Sequence, residues 1–127
     1  MAKRILLIED DALMTSILSR ELTQAGFELD HAITGKNGFE AIERARPDLI
    51  LLDIILPEMN GLEFLERFKA SPDLRAIPVI IISNLGSRDD VDKGLAMGAD
   101  AYLVKSNIFP EDVIRKVNAV LRKNNEG

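Results

Sequence analysis

Apolar residues fall along this chain in two alternating rhythms. Five short runs are continuously apolar or repeat every second residue. Between them lie stretches in which apolar residues recur every three or four positions, the helical spacing. The run Leu49-Ile50-Leu51-Leu52, closed by Asp53, has no polar alternation. Both its faces are therefore expected to be buried, as in a central strand of a parallel sheet. Ile5-Leu6-Leu7-Ile8, inside a first strand from Arg4 to Glu9, reads the same way, as does Val79-Ile80-Ile81-Ile82, closed by Ser83. Phe27 to Ala32 alternates apolar with charged residues, and Ala101 to Val104 is short, so both read as edge strands.

The helical stretches have recognisable ends. Ala12 to Ala25, capped by Asp11, carries Leu13, Ile17, Leu18 and Leu22 on one side and closes at Gly26. Thr34 caps a second helix that reaches about Arg46, with Phe39, Ile42 and Ala45 inward, and Pro47 stops it. Gly61 to Ala70 places Leu62, Leu65 and Phe68 on one stripe, and a loop follows to Pro78. Ser87 caps a fourth helix reaching about Met97. Its stripe is thin (Val91, Leu95 and Met97), and its interior Gly94 costs about 1 kcal/mol relative to alanine. It is expected to be the least stable helix and the easiest to move. Pro110 opens the last helix with Glu111 and Asp112 in its first turn. Val113, Ile114, Val117, Val120 and Leu121 form its inner face, and Arg122 and Lys123 complement its negative end. Residues 1–123 are expected to form one domain and residues 124–127 a disordered tail.

Five strand–helix alternations predict an α/β, doubly wound, flavodoxin-like (βα)5 fold with a five-stranded parallel sheet in the order 2-1-3-4-5. At 127 residues, 46% hydrophobic and 29% charged, the chain is ordinary for one globular domain. It has no cysteine, and the apolar run after the basic Met1–Arg4 is too short for a signal peptide. No stretch reaches membrane-spanning length. These features favour the cytoplasm and no membrane partner. A net charge of −5 argues against a direct nucleic-acid surface.

That strand order brings Glu9, Asp10 and Asp53 to one crevice at the carboxyl ends of the strands. Ser83 adds a hydroxyl from the fourth strand and Lys105 an ammonium from the fifth. Adjacent carboxylates repel unless a cation is wanted; taken alone, Glu9-Asp10-Asp11 are equally readable as solvated capping groups. A hard divalent ion such as magnesium takes carboxylates together with water and phosphate oxygens. A carboxylate can act as a nucleophile toward phosphorus, and a metal and a lysine suit the charge that is transferred. His31, the only histidine, reads as a surface residue of an edge strand without a role.

Four stretches carry a resemblance: Ile8-Glu9-Asp10, Leu52-Asp53-Ile54-Ile55-Leu56-Pro57-Glu58-Met59-Asn60-Gly61, Ile82-Ser83 and Ala99-Asp100-Ala101-Tyr102-Leu103-Val104-Lys105. Together, in order and spacing over the whole chain, they resemble the response-regulator receiver domain of two-component signalling. The resemblance implies that Asp53 accepts a phosphoryl group from a sensor histidine kinase or a histidine phosphotransfer protein. It implies Mg2+ held by Glu9, Asp10, Asp53 and the backbone carbonyl of Ile55. Lys105 would pair with the carboxylate and then the phosphoryl group. Ser83 and Tyr102 would be the switch residues that reorient with it. Such a domain is a signalling switch, not an enzyme, apart from its own phosphotransfer and dephosphorylation. Its output to a downstream protein target would be read on the face of the fourth helix, fifth strand and last helix. Asp100, Glu111, Arg115 and Arg122 lie on or near that face and could pair across a homodimer.

Three departures qualify this expectation. Ser106 follows Lys105 where the family usually has a cis proline; a cis bond before serine costs about 3 kcal/mol, so a trans loop and a displaced lysine are expected. Asn84 follows Ser83 where a small residue is usual. Ile55 and Leu85 are bulky and apolar where polar residues often help position the hydrolytic water, which predicts slow self-dephosphorylation. Other readings remain. A phosphate-independent receiver-like module would keep the fold and lose the chemistry. An aspartate-nucleophile phosphatase would need Asp-X-Asp where Glu9-Asp10-Asp11 stands. A flavin-binding module would need a Gly/Ser/Thr-rich phosphate loop where three acids stand.

Overall fold

The computed structural model describes residues 2–126. Its strands are β1 (Arg4–Ile8), β2 (Glu28–Ala32), β3 (Leu49–Leu52), β4 (Val79–Ser83) and β5 (Ala101–Val104). Its helices are α1 (Ala12–Gln24), α2 (Gly35–Arg44), α3 (Gly61–Ala70), α4 (Arg88–Ala96) and α5 (Pro110–Glu126), with a short 3-10 turn at Lys105–Asn107. All neighbouring strands pair in parallel, in the order β2-β1-β3-β4-β5. This is the flavodoxin-like doubly wound order.

The continuous apolar runs serve two cores at once. Successive strand residues point to opposite faces, so Leu6, Ile8, Ile50, Leu52 and Ile81 pack against Ala41, Ile42, Phe64, Leu65 and Phe68 of α2 and α3. Ile5, Leu7, Leu49, Leu51, Ile80 and Ile82 pack against Leu18 and Leu22 of α1 and Val113, Val117 and Leu121 of α5. Each fully buried aliphatic side chain contributes about 1.5–3 kcal/mol. The strand ends are tied by polar groups as well: the Val79 N–H donates to Asp100 Oδ2 at 2.9 Å, and the Arg4 N–H to Asp48 Oδ2 at 2.8 Å.

Several expectations need correction. Leu13 is 70% exposed, because it sits in the first turn after the N-cap Asp11, past the end of β1. Leu95 is 42% exposed. Here α4 meets the sheet through Gly94: a Cβ on that glycine would stand 2.8 Å from Ile81 Cδ1 and 2.9 Å from Tyr102 Cδ2. The close approach turns the next residue, Leu95, aside. Gly94 is thus a packing requirement, although α4 still buries no other residue fully. α2 ends at Arg44 rather than Arg46, because the chain is already extended at Ala45, before Pro47. α5 runs through Glu126, so residues 124–126 are helical rather than a disordered tail, and Gly127 lies outside the described residues. Among the described residues, no helix is long and apolar enough to cross a membrane.

Candidate functional site

The ladder continues briefly beyond the strands at their carboxyl ends. The Asp53 N–H donates to the Ile8 carbonyl at 3.0 Å, and the Glu9 N–H donates to the Ala32 carbonyl at 3.0 Å. These bonds fix where the two acids leave the sheet. Asp53 is only 4% exposed. Its Oδ1 accepts the Ile55 N–H at 3.1 Å and its Oδ2 accepts from Lys105 Nζ at 2.9 Å. Glu9 is wholly buried, and its Oε2 accepts the Asp11 N–H at 3.1 Å. Lys105 Nζ also forms a buried ion pair with Glu9 Oε1 at 2.6 Å.

Asp10 is exposed at the mouth. One carboxylate oxygen from each of Glu9, Asp10 and Asp53 lies within 4.8 Å of the others, an arrangement able to hold a metal ion. Glu9 Oε1 fits this donor set: the carboxylate oxygen keeps a lone pair beyond the one that faces the Lys105 ammonium. Burial, joined by the charge of Asp53 and opposed by Lys105, pushes the Glu9 carboxyl up to about 7. Burial also works against the Lys105 ammonium, but Glu9 and Asp53 outweigh it and hold its pKa above the ordinary lysine value. Glu9, Asp10, Asp11, Asp53, Ile55, Asn84 and Lys105 line a crevice of about 270 Å3.

The expected displacement of Lys105 does not occur. There is no cis peptide bond among the described residues. The chain instead enters the 3-10 turn directly at Lys105, and the flexible four-carbon stem carries the ammonium back to both acids. Ser83 is fully buried, with its Oγ accepting the Leu85 N–H at 3.2 Å. The Tyr102 hydroxyl donates to the Leu85 carbonyl. Burial holds the Tyr102 pKa above its ordinary value, against the pull of the Ser83 hydroxyl. Ile55 is 53% exposed beside Asp53; the Leu85 side chain is not part of the crevice lining.

Two contacts were not anticipated from the sequence. Gly61 abuts the Asp53 backbone, and the His31 Nε2 lies 2.8 Å from the Glu9 carbonyl oxygen. The alternation in β2 marks His31 as outward-facing but not as a neighbour of Glu9; only the register Leu7 opposite His31 does that.

Residues 5–118 match the family described as the response regulator receiver domain. The probable transcriptional regulatory protein SilR of Salmonella typhimurium is 38% identical over 122 residues, covering 96% of this chain and 52% of SilR. This chain spans about half the length of the curated relatives it matches. Among solved structures, a CheY-like response regulator receiver domain protein from Methanospirillum hungatei JF-1 superposes with a TM-score of 0.90 at 30% identity, covering 99% of this chain and 98% of that one. The Mn(2+)-bound form of response regulator Rcp1 superposes with a TM-score of 0.79 at 30% identity, covering 93% and 91%. With the family matched across nearly all the strands and helices that build the crevice, this chain belongs to the response regulator receiver domains of two-component systems.

Proposed function

We propose that Asp53 is the phosphoacceptor of this receiver domain. Its donor is a phosphohistidine on a sensor histidine kinase or a histidine phosphotransfer protein. The P–N bond of the donor breaks as an Asp53 carboxylate oxygen forms the new P–O bond, leaving an acyl phosphate. The observation that carries this reading is the Asp53 carboxylate itself. It is nearly buried at a strand end, held at one oxygen by the Ile55 N–H and at the other by Lys105. Glu9, Asp10, Asp53 and the Ile55 carbonyl would hold Mg2+, which supplies positive charge to a transferring phosphoryl group. Lys105 supplies a second positive charge and stays with the phosphoryl oxygens.

Ser83 and Tyr102 then form the switch. Both are linked to Leu85 in the β4–α4 loop, so a Ser83 hydroxyl drawn toward a phosphoryl oxygen releases one hold on that loop. The change would be read on the face of α4, β5 and α5, by a downstream protein target or a second copy of the chain. Asp100, expected among the pairing charges there, already accepts the Val79 N–H with one oxygen. The domain would act as a cytoplasmic switch rather than turn over a separate substrate.

Intact-mass measurement after incubation with Mg2+ and acetyl phosphate tests this directly. One phosphoryl adduct on the parent and none on Asp53→Ala is the expected result. No adduct on the parent would move the function to a phosphate-independent protein-interaction module.

A further inference from the structure

His31 is the only histidine of the chain and no part of the crevice lining. Its ring nevertheless reaches the backbone of the acid pair. Nε2 lies 2.8 Å from the Glu9 carbonyl oxygen and 3.3 Å from Thr15 Oγ1. A carbonyl has no hydrogen to give, so Nε2 carries the proton and donates it to Glu9. The Thr15 hydroxyl accepts the longer branch.

The place of this bond in the ladder gives it its meaning. The Glu9 N–H is taken by the Ala32 carbonyl, the next residue of the same edge strand. A continued parallel ladder would then offer the Glu9 carbonyl the N–H of Thr34. Thr34 has already turned away to cap α2, and the imidazole takes the place of that donor. The carbonyl belongs to the rigid peptide plane that joins Glu9 to Asp10. Holding this plane fixes the direction in which both side chains leave the backbone. Glu9 goes inward to full burial, Asp10 goes to the mouth, and both keep an oxygen within reach of Asp53.

We propose that His31 is a positioning residue for the cation site: its Nε2–H holds the Glu9–Asp10 peptide plane so that the two carboxylates converge with Asp53. This rests on the cation-binding part of the function proposed above. It does not depend on phosphotransfer.

The test reads metal binding alone, with Mn2+ as the probe. Free Mn2+ is followed by electron paramagnetic resonance at one fixed pH, in the full chain and in His31→Ala and His31→Gln. His31→Ala is expected to raise the dissociation constant about tenfold, the low end for groups that orient metal ligands. His31→Gln keeps a side-chain N–H donor and is expected to restore most of the affinity, which a merely structural role would not do. Parent-like affinity in His31→Ala, or a glutamine variant as weak as the alanine one, overturns the proposal. Nitrogen-15 spectra of the metal-free parent give a second readout that needs no variant to fold. An Nε2–H tautomer with a slowly exchanging ring proton is expected, and an Nδ1–H tautomer overturns the assignment. A parent that binds no Mn2+ ends the cation reading of the acids and this proposal with it. A parent whose binding ignores residue 31 ends this proposal only.

Discussion

A Cβ placed on Gly61 would stand 2.3 Å from the carbonyl oxygen of Asp53 and 2.6 Å from the Ile54 Cα. The first residue of α3 is therefore pressed onto the backbone of the proposed phosphoacceptor. The Gly61 N–H also donates to the Ile54 carbonyl. Alanine is the better helix former by about 1 kcal/mol, but here the obstruction is backbone, which no rotamer change relieves. Gly61→Ala is expected to cost about 2 kcal/mol net, within the range for overpacking, and to lower the yield of phosphoryl adduct. Gly38→Ala is the comparison. Its Cβ would meet the tip of the Ile8 side chain at 2.7 Å, which can shift, so its loss should be smaller. Urea midpoints of the two variants check the order, and equal losses would sink the argument from backbone contact.

Much of this arrangement is legible before any coordinates, for a physical reason. Strands covered on both faces must be apolar at every position, so β1, β3 and β4 announce themselves and the edges stand out by contrast. Their polar ends, Glu9, Asp53 and Ser83, then mark the crevice. Helical periodicity misplaces Leu13 and Leu95 because it gives the phase of a stripe, not where the sheet beneath it ends or how closely a glycine lets a helix approach. The place of Lys105 depends on a 3-10 turn set by a few local dihedrals, and Glu58 adopts a φ of 70° in a loop whose composition does not demand it. The contact of His31 with Glu9 depends on register between two strands, which no local pattern contains.

The phosphoryl lifetime should depend on Ile55. This side chain lines the crevice beside Asp53 and is largely exposed, yet offers an attacking water no hydrogen-bond partner. Hydrolysis of an acyl phosphate needs water held in line with the breaking bond. Ile55→Asn combined with Leu85→Asn is expected to shorten the lifetime by about tenfold, or about 1.4 kcal/mol of barrier. Ile55→Asn alone should give most of the effect, since Leu85 is outside the crevice lining. Decay of the adduct after donor removal measures it. A half-life that barely changes in the double variant would count against shielding.

Tyr102 and Ser83 hold opposite sides of one residue, the carbonyl and the N–H of Leu85. Tyr102→Phe removes only the hydroxyl. The bond is partly open to water, so the global cost is expected to be about 1 kcal/mol or less. The local effect should be larger: faster amide hydrogen exchange across residues 84–87, where the loop leaves β4. Exchange rates that match the parent would show that the loop is held by its own turn and not by the tyrosine.

Lys69 gives a prediction on pH. Its stem covers Gly98, its ammonium donates to the Arg75 carbonyl at 3.1 Å, and it stands 5.7 Å from the centre of the Phe68 ring. Burial lowers its pKa below the ordinary 10.5, with Asp100 opposing. A lysine whose pKa is lower in the folded state carries an ionisation penalty. That penalty is complete below the folded pKa and is relieved as pH rises toward the unfolded value. Lys69→Met keeps an unbranched stem over Gly98 and has no charge to desolvate. Denaturant midpoints of parent and variant, compared at about pH 8 and about pH 10.5, should therefore shift in favour of the parent at the higher pH. Other groups that titrate in this window are common to both proteins and cancel in the difference. A difference that stays constant, or moves toward the variant, would mean that the ammonium remains effectively hydrated above Phe68.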